Sequence, residues 1–355
     1  MAAPRISAIV VNYRRAEMTL ACLRALDAAL RQVEGGAEIV VVDNGSGDGS
    51  PAMLREGAPE AQVVELPENL GFPAGASEGI RRSTGEWVFL VNNDVIVDER
   101  AAVELLAAGE QSPEIGSVAA QMRFASDPGV INSAGIGVDR LGVAFDRLLG
   151  APVTHSESEP VAVFGACGGA ALHRRRMLDE VGGMDESFFF ALDDADLAWR
   201  ARMRGWRCVY APGAVVHHHH GGTTRHGSDL KYFHVGLNRV RTVAKNASPR
   251  LLRRYGLAMI GYDLAYVGFV ALRERTLAPV RGRLRGIREW SLYRRGGAER
   301  VDVDLAPPRG PRAALARRSV WLAHSGRSDY VEASVDGRSQ IERNAEGRSR
   351  TVAAR

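Results

Sequence analysis

Two groups of acidic residues stand where a folding chain alone gains little from them. The run FLVNNDVIVD (89–98) begins as an apolar strand, inserts Asn92, Asn93 and Asp94, and turns apolar again at Val95 and Ile96. One acid at a strand end, with amides beside it to hydrogen-bond water or phosphate, is enough to hold a hard divalent cation that shares a phosphate ligand. As a local feature the same run makes only a turn, which Asn and Asp favour. The second group is Asp193, Asp194 and Asp196, crowded at the start of a helix. Acids there cap backbone N–H groups and complement the helix dipole, yet three so close together repel one another. At helical spacing Asp193 and Asp196 share a face, and Asp194 points elsewhere.

Two further features could carry chemistry. His217–His220 end a strand-like run, and because strand neighbours point to opposite faces, at most alternate histidines converge. His218 is read as the one facing the site, with His217 or His219 as the alternatives. No cysteine pair or HExxH helix accompanies them, which argues against zinc. Asp185 follows Gly182 and Gly183, as a turn residue or as a contact for a second substrate. The glycine-rich GSGDGS (45–50) lacks the lysine of a P-loop and is a weak phosphate signal.

The elements that must position these residues follow from periodicity. Continuous apolar runs at 6–11, 38–43, 62–66 and 86–91 read as strands buried on both faces. Helical segments alternate with them, one carrying Leu20, Leu23, Leu26 and Leu30, another running from about Ala76 to Ser83. Such alternation predicts an α/β domain with a mainly parallel sheet. Asn12 and Tyr13, Asp43 and Asn44, Asn69, and Asn92–Asp94 all fall at or just past the carboxyl ends of strands, which in an open parallel sheet border one crevice. Further along, the small residues Gly165–Ala171 let backbone approach something closely. RCVYAPGAVV (207–216) reads as a strand broken by Pro212. Trp199 and Trp206 are read as core residues ahead of a binding platform.

Composition narrows the remainder. The chain has 355 residues, 45% hydrophobic and 25% charged, with a net charge of +4, an ordinary globular balance. Three cysteines, far apart and without a C-x-x-C pair, fit a reducing compartment rather than a disulfide framework. The N-terminal residues enter a strand with no signal-like segment. Arginine is dense from Arg273 to Arg318, beyond Lys231, Tyr232, Asn238, Arg239 and Arg241, and such a basic helical region suits an anionic membrane surface. It lacks the interleaved aromatics of a nucleic-acid binder. GLAMIGYDLAYVGFVAL (256–272) is short for a membrane span and holds Asp263 at its middle, so it reads as a packed or interfacial helix. From about Gly326 the chain is polar and reads as disordered.

Taken together, IVVNYRR, VVDNGSGDGS, ENLGFPAG, FLVNNDV, GGMDESFFFALDDADLAWRARMRGW and VVHHHHGGTT resemble the family 2 glycosyltransferases of GT-A fold, rhamnosyltransferase-like members among them, over roughly residues 5–245. The resemblance implies a Rossmann-like catalytic domain at 1–245; beyond it the sequence pattern gives a helical basic region at 246–325 and a tail at 326–355. It implies a nucleotide-diphosphate sugar donor (dTDP- or UDP-linked), Mg²⁺ or Mn²⁺, and a glycan or lipid-linked acceptor, with no nucleic acid as partner. Asp43 takes the position that hydrogen-bonds the pyrimidine, and Asn12 and Tyr13 that of the first nucleotide loop. Asn44, Asn69, Asn92 and Asn93 line the donor side. Asp94 is the last acid of the metal motif, whose first acid is here Asn92, and His218 completes the metal and diphosphate site. Asp194 takes the place of the catalytic base, with Asp193 where glutamate is usual. Asp185 is assigned to the acceptor side, and Asp193 and Asp196 to structural or acceptor-binding roles. Ser77 departs from the asparagine common in the family. The implied activity is inverting sugar transfer in cell-surface polysaccharide synthesis. The cysteine pattern adds a cytoplasmic location, and the basic C-terminal region adds either peripheral contact on the inner face of the plasma membrane or a solvated face packed on the catalytic domain. The alternative is a catalytically silent sugar-nucleotide or glycan binder of the same fold.

Overall fold

Apolar runs covered on both faces build the centre of the molecule. The computed structural model describes residues 3–219, 228–295, 300–309, 319–321 and 323–324. Strands β1 (Ile6–Asn12), β2 (Ala37–Asp43), β3 (Gln62–Glu65) and β4 (Trp87–Asn92) are joined through helices α1 (Ala16–Leu30), α2 (Ser50–Gly57) and α3 (Phe72–Arg81). They pair in parallel in the order β3-β2-β1-β4. Side chains alternate between two cores, as the strand period requires. Ile6, Ala8, Trp87 and Phe89 pack with Leu23 and Leu26 of α1. Ile9, Val40, Val88 and Leu90 pack with Ala76 of α3 and with Met177 and Leu197 on the opposite side.

The chain continues through β5 (Val95–Val97), α4 (Ala101–Glu110), β6 (Ile115–Phe124), β7 (Asp127–Ser133), the hairpin β8 (Ile136–Val138) and β9 (Ala144–Asp146), β10 (Val161–Val163), β11 (Ala170–Arg174), α5 (Arg175–Val181), α6 (Asp193–Met203) and β12 (Arg207–His218). The ten-stranded sheet runs β10-β12-β6-β11-β4-β1-β2-β3, with β5 on β12 and β7 on β6. Because β11 is antiparallel to both β4 and β6, and β12 is parallel to β6, the strands β3, β2, β1, β4, β6 and β12 share one direction. The expected α/β class with a mainly parallel sheet is the observed one.

One boundary differs from the sequence expectation. The third helix starts at Phe72, not near Ala76: Gly71, at φ 86°, turns the chain, and Pro73 occupies the first turn, where its missing N–H costs nothing. The break expected at Pro212 is the observed one, inside a strand that runs on to His218. Its ladder to β6 shifts register between Ala211 and Val215, so the proline sits in a bulge where no ladder N–H is needed.

Helices α7 (Asp229–Asn246), α8 (Pro249–Glu274), α9 (Ala278–Arg288) and α10 (Trp290–Arg295) complete the order of elements. Arg239 and Arg241, expected at the start of a basic face, are buried. Arg239 Nε donates to Asp263 Oδ1 at 2.7 Å, and Arg241 Nε donates to Glu289 Oε2 at 2.8 Å. Trp199 and Trp206 are both interior. The polar tail at 326–355 lies outside the described residues.

Candidate active site

The ends of three strands meet at one edge of the sheet. Asn12 lies opposite Asp43, and Asn92 lies opposite Val11. A continuous chain of hydrogen bonds joins them. Asn93 Nδ2 donates to Thr19 Oγ1 at 3.1 Å, Thr19 Oγ1 donates to Asn12 Oδ1 at 2.7 Å, and Asn12 Nδ2 donates to Asp43 Oδ2 at 2.7 Å. Asp43 also accepts from the Ser46 N–H at 3.0 Å and the Ser46 hydroxyl at 2.6 Å, and is only 2% exposed. These bonds fix the Asp43 carboxylate at the strand end and set the shape of the Asn44–Ser50 loop. Asn44 works similarly. Its Nδ2 donates to Asn69 Oδ1 and to the Gly71 carbonyl, both at 3.1 Å, and its Oδ1 accepts from the Leu70 N–H at 3.0 Å. Tyr13 is half-buried and stands beside the Arg14 guanidinium, 5.2 Å from the ring centre.

Asp94 and His218 converge. Asp94 Oδ1 lies 3.3 Å from His218 Nε2, with the side chains 9% and 11% exposed. The two are brought together by the β5–β12 ladder, in which His218 lies opposite Val95. His217 points the other way, 3.3 Å from Asp98. His220 and the GGTT after it lie outside the described residues. His218 Nδ1 is 2.8 Å from Asn132 Oδ1, and with an Nδ1 proton donated to that oxygen the Nε2 lone pair would be turned toward Asp94. That is the orientation a metal-ligating imidazole needs. Among the described residues no group of three or more His, Cys, Asp or Glu gathers into a cation site. One carboxylate and one imidazole fit Mg²⁺ or Mn²⁺ that takes its remaining ligands from a diphosphate and water, and do not fit a closed zinc site.

Asp194 is set by a strained approach. Ala191 (φ 70°) and Leu192 (φ 64°) are consecutive left-handed residues without glycine, each costing on the order of 1–3 kcal/mol. Asn238 Nδ2 holds the turn by donating to the carbonyls of Phe190 and Ala191, both at 2.9 Å. The turn aims Asp194 at the segment Cys167–Gly169. The Gly168 N–H donates to Asp194 Oδ2 at 3.1 Å, and the Ala195 N–H donates to Oδ1 at 2.7 Å. One residue on, the Gly169 carbonyl accepts from the Asn92 N–H at 2.9 Å. One short segment therefore touches Asp194 and also the residue two places before Asp94. An added Cβ at Gly169 would meet Met122 Cε at 2.4 Å, so the end of that methionine would have to move. The close approach expected for Gly165–Ala171 is to these two acid-bearing loops.

Burial raises the pKa of Asp194 and outweighs the opposing hydrogen bonds from Gly168 and Ala195. A cavity of about 10 Å³ behind it, shared with Gly168, His173 and Ser117, has room for about one water. Asp193 is buried, and burial together with the charge of Asp194 raises its pKa as well.

Asp196 and Asp185 turn away from the edge. Asp196 is fully buried. Burial would push its pKa up, yet Arg200 and Lys245 hold it at about 2. Its Oδ2 accepts from Arg200 Nε at 2.8 Å and Lys245 Nζ at 2.9 Å, and its Oδ1 accepts from Asn246 Nδ2 at 2.8 Å. Asp185 accepts from the Ser187 N–H at 3.0 Å and from Lys245 Nζ at 2.6 Å. Both carboxylates hold the α6–α7 junction, the structural alternative for Asp196. Sequence reasoning missed Lys245, Asn132, Thr19 and Ser46, because no local pattern marks the partners each of them finds in the fold.

The profile of the glycosyltransferase-like family 2 matches residues 4–231. The chain belongs to that family. Relatives of this glycosyltransferase include the N-acetylglucosaminyl-diphospho-decaprenol L-rhamnosyltransferase of Mycobacterium tuberculosis, 28% identical over 54% of this chain and 70% of that protein. Another is the O-antigen biosynthesis protein RfbC of Myxococcus xanthus, 27% identical over 58% of this chain and only 16% of that one. The fold is shared with GalNAc-T7 bound to UDP, GalNAc and Mn²⁺, at a TM-score of 0.55 and 15% identity over 70% of this chain and 49% of that one. It is shared too with the mannosyltransferase PcManGT of Pyrobaculum calidifontis bound to GDP-Man and Mn²⁺, at 0.50 and 19% identity over 98% and 87%.

Proposed function

We propose that this family 2 glycosyltransferase moves a sugar from a nucleoside-diphosphate donor to a hydroxyl of a glycan or lipid-linked acceptor, inverting the anomeric carbon, in cell-surface polysaccharide synthesis. The observation that carries the reading is the Cys167–Gly169 segment, hydrogen-bonded to Asp194 through Gly168 and to Asn92 through Gly169. It sets a proton acceptor beside a place where a leaving diphosphate can be held. The named relative in Mycobacterium tuberculosis favours rhamnose on a lipid diphosphate; uridine-diphosphate hexoses are the next candidates.

Tyr13 borders the nucleotide base, on a loop shaped by Asn12, Asp43 and Ser46. Asn92 and Asn93 lie along the donor phosphates. Asp94 and His218 would hold Mg²⁺ or Mn²⁺, which when bound neutralises the charge of the departing diphosphate. Asp194 takes the proton of the acceptor hydroxyl as its oxygen bonds to the anomeric carbon and the bond to the donor phosphate breaks on the opposite face. The raised pKa suits that base. Asp193, next to it, and Asp185, which keeps part of its side chain exposed, are candidates for contact with the acceptor.

Asp194→Asn is the test. The amide keeps the shape of the side chain and removes the base, so transfer falls about 10²–10⁴-fold while donor binding, measured by calorimetry, is kept. Turnover equal to the parent enzyme overturns the assignment.

A further inference from the structure

Helix α8 presents a bare apolar face to its surroundings. Leu257 is 88% exposed, Leu264 69% and Leu272 85%. Between Leu257 and Leu272 every exposed residue is uncharged: Ala258, Ile260, Gly261, Ala265 and Phe269 complete the face. Helix α9 and the residues leading into it continue the exposed apolar surface with Leu277, Leu284 and Ile287. A run of this size on a monomer marks an interaction surface.

The charge around the face says what covers it. Exposed Arg253 and Arg254 precede it, exposed Arg273 and Arg275 lie just beyond it, and Arg281 and Arg288 stand exposed on α9. Residues 249–295 hold eleven arginines against three acids, Asp263, Glu274 and Glu289. Two of those acids face inward: Asp263 accepts from Arg239 and Arg283, and Glu289 accepts from Arg241. An apolar strip with a cationic border and little exposed acid complements an anionic phospholipid bilayer, with the leucines among the acyl chains and the guanidinium groups at the phosphates.

By length and composition α8 could cross a membrane. Its own packing argues for lying flat instead. Asp263, midway along the apolar run, is clamped by Arg239 of α7 and Arg283 of α9 at 2.7–2.9 Å. To cross, the helix would have to leave both partners and carry a carboxylate into hydrocarbon, which is costly. We propose that the outer face of α8, with Leu284 and Ile287 of α9, is a monotopic docking surface for an anionic lipid bilayer, and that α8 lies in the plane of the interface. The surface stands on its own observations; its value in bringing the enzyme to a lipid-linked acceptor rests on the proposed transfer reaction.

The test is vesicle flotation of the full chain, with vesicles of phosphatidylcholine alone or with phosphatidylglycerol added. The protein should float with the anionic vesicles, less so as salt rises, and much less with the neutral ones. The variant Leu257→Gln/Leu264→Gln/Leu272→Gln, all at exposed positions, should keep the parent melting temperature and donor binding and lose vesicle affinity about tenfold or more. Arg253→Gln/Arg254→Gln/Arg273→Gln should weaken binding to anionic vesicles and leave the weak neutral binding unchanged. Vesicle binding by the leucine variant equal to the parent overturns the proposal. So does a parent dimer that the leucine changes convert to monomer without altering flotation, since the face would then join two copies of the chain. Because flotation needs no catalysis, it can fail while donor transfer succeeds, and the reverse.

Discussion

The backbone N–H of Gly168 donates to the carboxylate of Asp194 at 3.1 Å. That bond, and the one from Ala195, stabilise the charged form of Asp194, while burial opposes it and prevails. The acid limb of kcat/KM should therefore lie above 3.8, the ordinary value for aspartate. The rate falls as pH drops through the raised pKa, because the protonated acid cannot take a proton. A pH–rate profile with a soluble acceptor analogue checks this; an acid limb at or below the ordinary value refutes it.

Asp94 and His218 should act together on the metal-dependent part of donor binding. Asp94→Asn and His218→Ala are each expected to abolish the gain in donor affinity on adding Mn²⁺, with metal-free binding unchanged. Asn132→Ala releases the imidazole from its partner and should weaken the Mn²⁺ effect about 10–100-fold. Calorimetric titration with the donor, with and without Mn²⁺, measures all three. An Asp94→Asn variant that keeps the full Mn²⁺ effect excludes the site.

Asp196 governs stability in acid. Its folded pKa of about 2 lies below the ordinary 3.8. A depressed acid contributes stability that is present above the unfolded value and lost as pH falls through the folded one, here between about 4 and 2, and worth about 2 kcal/mol. Lys245→Met removes one partner of a buried charge and should destabilise the protein at neutral pH by about 3–5 kcal/mol. Urea denaturation across pH measures both.

Asp193 has the opposite sign. Its folded pKa is raised, so its favourable contribution is complete below the unfolded value and is lost as pH rises through the folded one. Asp193→Asn should raise the melting temperature at alkaline pH and change it little in acid. A variant less stable than the parent at high pH contradicts this.

Gly71 closes the donor-side loop against the loop before α6. It has φ 86°, and an added Cβ would lie 2.2 Å from the Phe189 carbonyl oxygen. Gly71→Ala should cost about 2 kcal/mol or more of stability and weaken donor binding, because Asn44 and Asn69 are fastened to the same loop. Unchanged thermal stability would show that the loop gives way.

Periodicity was a sound guide wherever burial alone decides. The runs at 6–11 and 86–91 are apolar because each residue faces one of two cores, and that property is visible residue by residue. The polar strand ends pointed to a shared edge for the same reason. What the sequence hid were partnerships. Nothing local distinguishes Asp194, partly open to the Cys167–Gly169 segment, from Asp196, which is enclosed two residues later; the difference comes from Lys245 and Asn246, about fifty positions away. The Asp43 carboxylate gives no local sign that Ser46 and Asn12 hold it. Pro212 marked a break in its strand because a proline lacks the ladder donor, and the neighbouring strand's shifted register shows the form the break takes.

Lys245 clasps Asp185 with one hydrogen bond and Asp196 with another, and it sits on the last turn of α7, just ahead of the arginine-rich helices. The end of α7 is thus keyed to α6 and to the loop before it. A chimera that borrowed another protein's C-terminal helices would have to import the lysine, its asparagine neighbour and both receiving aspartates as one unit, or its helix α6 would come loose at the root.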